Sequence, residues 1–181
     1  LIREKGENLC IVFTPLHGAS KVSVLNSFQK AGLSKINIVE SQAEADENFT
    51  NVTSANPEEH IAFDQAIVQG ERQGADILIA TDPDGDRVGI AAKDEDGRYK
   101  VLTGNETGAL MLHYLLSHKS KQGKLPKNGT MIQSIVSSSL AKEIAQSFQV
   151  EAVDVLTGFK YIAEKIKEYA EDHSKKFLFG Y

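Results

Sequence analysis

Apolar residues recur along the chain in short runs separated by stretches of helical periodicity, in the order strand, helix, strand, helix, strand, twice over. In the first half, residues 9–13 predict a strand, 19–31 a helix closed by Gly32, 36–39 a strand, 58–73 a helix closed by Gly74, and 76–80 a strand. Two further strands, 88–92 and 98–101, bracket Lys93-Asp94-Glu95-Asp96-Gly97, whose Asp-Gly is a hairpin turn signal. The first sheet is therefore expected to be mixed. In the second half, 103–118 predict a helix, 131–136 a strand, 140–148 a helix, 151–155 a strand, 159–169 a helix and 177–179 a strand. The fold class follows as α/β: two similar α/β domains with mixed, mainly parallel sheets flanked by helices, expected over residues 1–102 and 103–181.

One of these strands ends unusually. The apolar run Ile77-Leu78-Ile79-Ala80 gives way to Thr81-Asp82-Pro83-Asp84-Gly85-Asp86-Arg87, which crowds three carboxylates into five positions. Their repulsion is relieved most directly by a hard, oxygen-seeking divalent cation. Pro83 and Gly85 let the chain curl, so Asp82, Asp84 and Asp86 can converge instead of alternating across a strand. Arg87 adds a planar fork suited to two phosphate oxygens. A calcium EF-hand loop starting at Asp82 would need glycine and glutamate where Arg87 and Lys93 stand. An aspartate-nucleophile phosphatase is closer in outline, with Asp82 and Asp84 as its paired acids, but the third acid and Arg87 fit it poorly.

Composition narrows the field. The 181 residues are 41% apolar, enough for a real core, and a formal charge of -5 argues against a general nucleic-acid binder. Lys119, Lys121, Lys124 and Lys127 read as a solvated loop. The single cysteine, Cys10, excludes a disulfide within the chain and favours a reducing compartment, with the cytoplasm as the default. No run approaches the roughly 18 apolar residues of a membrane span. The chain lacks an initiating Met, and Phe177-Leu178-Phe179-Gly180-Tyr181 is an apolar strand that stops as its turn begins. An excised piece of a longer protein is expected.

Several short motifs have local explanations. Thr103-Gly104-Asn105-Glu106 has the form of a capping box, and Asn56-Pro57-Glu58-Glu59 combines an N-cap, a proline and first-turn acids. Ser137-Ser138-Ser139 supplies further caps. Two loops resist that treatment. Thr14-Pro15-Leu16-His17-Gly18 reads equally as a helix start and as an anion-binding loop containing His17, and Leu156-Thr157-Gly158-Phe159-Lys160 repeats the arrangement with a hydroxyl, a glycine and a cation.

Thr81-Asp82-Pro83-Asp84-Gly85-Asp86-Arg87 resembles the metal-binding loop of the α-D-phosphohexomutases, the phosphoglucomutase and phosphomannomutase superfamily. The motifs at Thr14–Gly18, Asn56–Glu59, Leu102–Glu106 and Thr157–Lys160 occur in the matching order, in a manner most similar to the branch with bacterial phosphoglucomutases and phosphopentomutases. The resemblance implies that the chain is the second domain and most of a C-terminally truncated third domain of a four-domain enzyme. Domain 1, with the phosphorylated serine, and domain 4, with a phosphate-binding loop, are then missing partners. No catalytic residue is expected within this piece, which is expected to be inactive alone.

The reaction so implied is an intramolecular phosphoryl transfer, of phosphoglucomutase type, between positions of a sugar phosphate through an enzyme phosphoserine and a sugar bisphosphate. Asp82, Asp84 and Asp86 would hold Mg2+, while Arg87, Thr157, Gly158, Lys160 and His17 would meet substrate. Phosphomannomutase or phosphopentomutase activity, a phosphatase, and a non-catalytic metal-binding scaffold are the alternatives. One departure stands out: relatives commonly carry lysine where Gln133 falls, and glutamine brings no charge.

Overall fold

A computed structural model describes residues 6–181. The chain separates into two compact units, one ending at Gly104 and the other running from Asn105 to Tyr181.

The first unit contains β1 (Cys10–Thr14), α1 (Lys21–Ala31), β2 (Lys35–Ile38), α2 (Asp64–Gln73), β3 (Ile77–Thr81), β4 (Val88–Lys93) and β5 (Tyr99–Val101). Its sheet has the order β2-β1-β3-β4-β5. β1 pairs in parallel with β2 and β3, and β4 then runs antiparallel between β3 and β5, giving the mixed sheet that the Asp-Gly turn implied. Side chains alternate across β1: Val12 joins Leu16, Phe63, Ala66, Leu78 and Tyr99 in the core beneath α2, while Phe13 meets Phe28 of α1 edge-on. Both glycine stops hold. Gly32 and Gly74 adopt left-handed φ of 84° and 63°, and Leu33 and Ala75 donate back to the carbonyls of Phe28 and Gly70.

The helix expected over 58–73 is shorter. Only Asp64–Gln73 is α-helical, preceded by a 3-10 turn at His60–Phe63. The cap signals at Asn56 close a turn instead: its side-chain oxygen accepts from the Glu58 N–H at 3.1 Å, and Glu59 is extended. This bend sends Ala62 and Phe63 into the core and lays the Pro57 carbonyl against Gly89, where a Cβ would lie 1.8 Å from that oxygen.

The second unit contains α3 (Gly104–Lys121), β6 (Gly129–Ser134), α4 (Leu140–Ser147), β7 (Glu151–Val155), α5 (Phe159–Asp172) and β8 (Lys176–Gly180). Its sheet, β7-β6-β8, is wholly parallel. Central β6 is buried on both faces, with Met131 packing toward Leu112, Leu116 and Ala141 and Ile132 toward Ile162 and Tyr169. The strand ends two residues earlier than its apolar run, leaving Ile135 and Val136 exposed beyond it.

Candidate functional site

The three aspartates occupy the connection between antiparallel β3 and β4, whose ends pair Thr81 with Val88. Gly85, at φ 75°, donates to the Asp82 carbonyl at 3.1 Å, and this turn folds the loop back on itself. Asp82, Asp84 and Asp86 each present a carboxylate oxygen, all within 4.8 Å of one another. Among the described residues this is the one such trio.

The three acids are unequal. Asp82 is only 1% exposed, and its carboxylate accepts from the Arg87 main-chain N–H at 3.0 Å and from Arg87 Nε at 2.8 Å. Burial pushes its pKa up, but the hydrogen bonds from Arg87 outweigh that and hold it below the usual carboxylate range. Asp86 moves the other way, raised first by its hydrogen bond with Asp82, then by desolvation and by the charges of Asp82 and Asp84. An exposed carboxyl that resists ionising beside two others is the signature of crowding that a cation would relieve. An all-oxygen donor set with two members open to solvent suits Mg2+, which keeps several of its waters.

Arg87 is fixed as well as charged. Its Nη1 donates to Asn56 Oδ1 at 3.3 Å, and Asp86 Oδ1 lies 3.6 Å from its Nε. Asn56 therefore serves the site, a role its cap-like sequence context concealed.

A second loop braces the first. Thr14 Oγ1 donates to Gln42 Oε1 at 2.7 Å and accepts from the Leu16 N–H at 3.1 Å, so the exit from β1 is tied to buried Gln42. Gly18 abuts Pro83, the Ala19 N–H donates to the Pro83 carbonyl at 2.9 Å, and the hydroxyls of Ser20 and Thr81 share a bond of 2.6 Å. The His17 ring turns toward the 42–49 segment: Nδ1 lies 2.7 Å from the Glu44 carbonyl oxygen, and Phe49 stands edge-on.

In the second unit, Thr157 and Gly158 are exposed between the C-terminal end of β7 and the start of α5, and Lys160 is exposed in the first turn of α5. Gly158 has φ 125°, and Lys160 Nζ lies 4.7 Å from the centre of the Tyr161 ring. Strand C-termini are where open parallel sheets receive ligands. Gln133, near the end of β6, is buried; its Nε2 donates to Asp154 Oδ1 at 3.3 Å, and Lys142 pairs with the other oxygen of Asp154 at 2.6 Å.

The family described as phosphoglucomutase/phosphomannomutase, alpha/beta/alpha domain II, matches residues 1–97, and its domain III matches residues 103–181. The chain belongs to this family. A phosphoglucomutase of Staphylococcus aureus strain USA300 is 44% identical over 172 residues, which are 95% of this chain and 30% of that protein. The chain thus spans about a third of the length of such phosphohexomutase relatives, corresponding to domains II and III. Among solved structures, a family protein from Burkholderia thailandensis superposes with a TM-score of 0.70 at 21% identity, over 90% of this chain and 32% of the other. N-acetylphosphoglucosamine mutase from Aspergillus fumigatus, solved with GlcNAc-6P and magnesium, gives 0.58 at 15% identity, over 88% and 33%. These two likenesses concern the fold. Among the described residues, no helix is long and apolar enough to cross a membrane.

Proposed function

We propose that the chain is the metal-binding and sugar-facing part of a phosphosugar mutase of phosphoglucomutase type. In this reading a phosphoryl group moves between positions of a sugar phosphate by way of an enzyme phosphoserine, carried by another part of the protein, and a sugar bisphosphate. The observation that carries the proposal is the convergence of Asp82, Asp84 and Asp86 beside a fixed Arg87. The 44% identity to a phosphoglucomutase and the magnesium found with a relative support it.

The geometry supports the following roles. Asp82, Asp84 and Asp86 would hold Mg2+, which when bound neutralises charge on a phosphoryl group in transfer. Asp82 also holds Arg87 through Nε and the main chain, which leaves the terminal guanidinium nitrogens for Asn56 and for phosphate oxygens. Thr157, Gly158 and Lys160 are assigned to the sugar phosphate; His17, expected from its loop to meet substrate, is 7% exposed with Nδ1 on the Glu44 carbonyl, which favours a role in support of the metal loop. Residues 1–102 and 103–181 are then the second and third domains of a cytoplasmic enzyme. A phosphatase using Asp82 as nucleophile is disfavoured, because the carboxylate is buried and engaged by Arg87 on both oxygens.

Exchanging the matching segment of S. aureus phosphoglucomutase for this chain, and assaying interconversion of glucose 1-phosphate and glucose 6-phosphate, tests the proposal. The chimaera should turn over, and Asp84→Asn within it should not. A folded chimaera that binds Mg2+ but interconverts mannose or ribose phosphates alone would overturn the glucose assignment.

A further inference from the structure

We infer that His17 is a positioning residue that sets the shape of the acidic loop, and through it the affinity for a divalent cation, without touching either. The inference rests on the metal reading above. His17 is 7% exposed, and its ring is held in one tautomer: the Glu44 carbonyl 2.7 Å away can only accept, so Nδ1 carries the proton. Nε2 is buried and has no partner among the described residues. The His17 main-chain N–H donates to the Gln42 carbonyl at 2.9 Å. Leu16 and His17 both adopt left-handed backbone, at φ 48° and 63°, which bulky side chains keep only where the surroundings impose it. Here the surroundings are the Gln42–Glu44 segment, gripped by the histidine.

What this turn delivers is contact with the acidic loop. The three residues after His17 meet it in succession: Gly18 against Pro83, the Ala19 N–H on the Pro83 carbonyl, and Ser20 on Thr81 and beside Gly85. Lys21 then returns to Glu44, pairing with its carboxylate at 2.5 Å. Glu44 is thus held twice, by its carbonyl through His17 and by its side chain through Lys21, and the residues between are pressed on the loop. Pro83 lies between Asp82 and Asp84, so displacement of this turn alters the spacing of two proposed ligands. Groups that hydrogen-bond to metal ligands typically change metal affinity by about 10–100-fold, and this turn, one contact further out, is expected at the lower end of that range.

The test compares wild type with His17→Ala, His17→Asn and Tyr99→Phe in the same chain, by hydrogen–deuterium exchange of the amides of Asp82 and of Asp84 to Arg87 and by calorimetric titration of Mg2+. Asparagine tolerates left-handed backbone and offers an N–H where Nδ1–H stands, so it should rescue. Tyr99→Phe removes a buried 2.5 Å hydrogen bond to the Ala75 carbonyl away from the loop, and so controls for lost stability alone. His17→Ala should speed exchange over 82–87 and weaken Mg2+ binding about tenfold. His17→Asn should restore most of both, and Tyr99→Phe should lower Tm while changing neither. Unchanged exchange in His17→Ala, or equal changes in Tyr99→Phe, would overturn the inference. A wild-type chain that takes up no Mg2+ would defeat the metal reading alone, and the exchange comparison would still decide the role of His17.

Discussion

Replacing Gly18 with alanine places one methyl where two loops touch. A Cβ there would lie 2.5 Å from Pro83 Cα, 2.6 Å from Pro83 O and 2.8 Å from Pro15 O, whereas ordinary contact begins at 3.4 Å. All three atoms are backbone, so no side chain can rotate aside, and one loop must retreat by about 1 Å at an overpacking cost of about 1–3 kcal/mol. For a unit of this size that corresponds to a fall in Tm of about 5–15 °C. The retreat moves Pro83, so Mg2+ affinity should fall with stability. Gly97→Ala supplies the contrast: its φ of 78° makes a side chain unfavourable, but a Cβ there meets nothing within 4 Å. That variant should lose about 1 kcal/mol and keep its Mg2+ affinity. Thermal melts and calorimetric titration of the two variants make the comparison. A Gly18→Ala protein with wild-type Tm and wild-type Mg2+ affinity would refute the reasoning, because the loops could not then abut as described.

Other consequences concern charge and burial. The raised pKa of Asp86 means that the folded state binds more protons than the unfolded chain between the usual value of 3.8 and the raised one, so stability falls as pH rises through that window. Asp86→Asn should therefore stabilise the metal-free chain at pH 7 in a urea titration while weakening Mg2+ binding. Asp46 has the opposite sign: hydrogen bonds from the Thr50 side chain and from the main-chain N–H groups of Thr50 and Asn48 lower its pKa to about 2. Its contribution is complete above the unfolded value of 3.8 and is lost as pH falls from there to about 2, so Asp46→Ala should flatten the acid limb of Tm against pH over that range. Gln133 Oε1 is buried without a partner among the described residues, and Asp154 keeps Lys142 without it. Gln133→Met should accordingly be neutral or stabilising by about 1 kcal/mol in urea unfolding.

Strands and helix stops were legible in the sequence because their causes are local: apolar runs at β1, β3 and β6, and left-handed glycines at 32 and 74. The segment before α2 was misread for the same reason. Its Asn-Pro-Glu-Glu signals suit a helix start, but the need to bury Phe63 and to pass the Pro57 carbonyl over Gly89 selected a turn. Within the site, spacing alone pointed to the acidic trio and Arg87. What it could not give was inequality among the acids, since the burial of Asp82 and its double bond to Arg87 depend on the pairing of β3 with β4. Gln42 and Ser20 carried no signal, and Asn56 only that of a helix cap, because each acts through a contact made across at least 28 residues of chain.

The central claim is that Asp82, Asp84 and Asp86 form one divalent-cation site. Calorimetric titration of Mg2+ into this chain and into Asp84→Asn tests it most directly, because Asp84 is exposed and its loss should leave the fold intact. The account predicts saturable single-site binding in the wild type that is abolished or weakened at least about tenfold in the variant. Indistinguishable heats from the two proteins would contradict it.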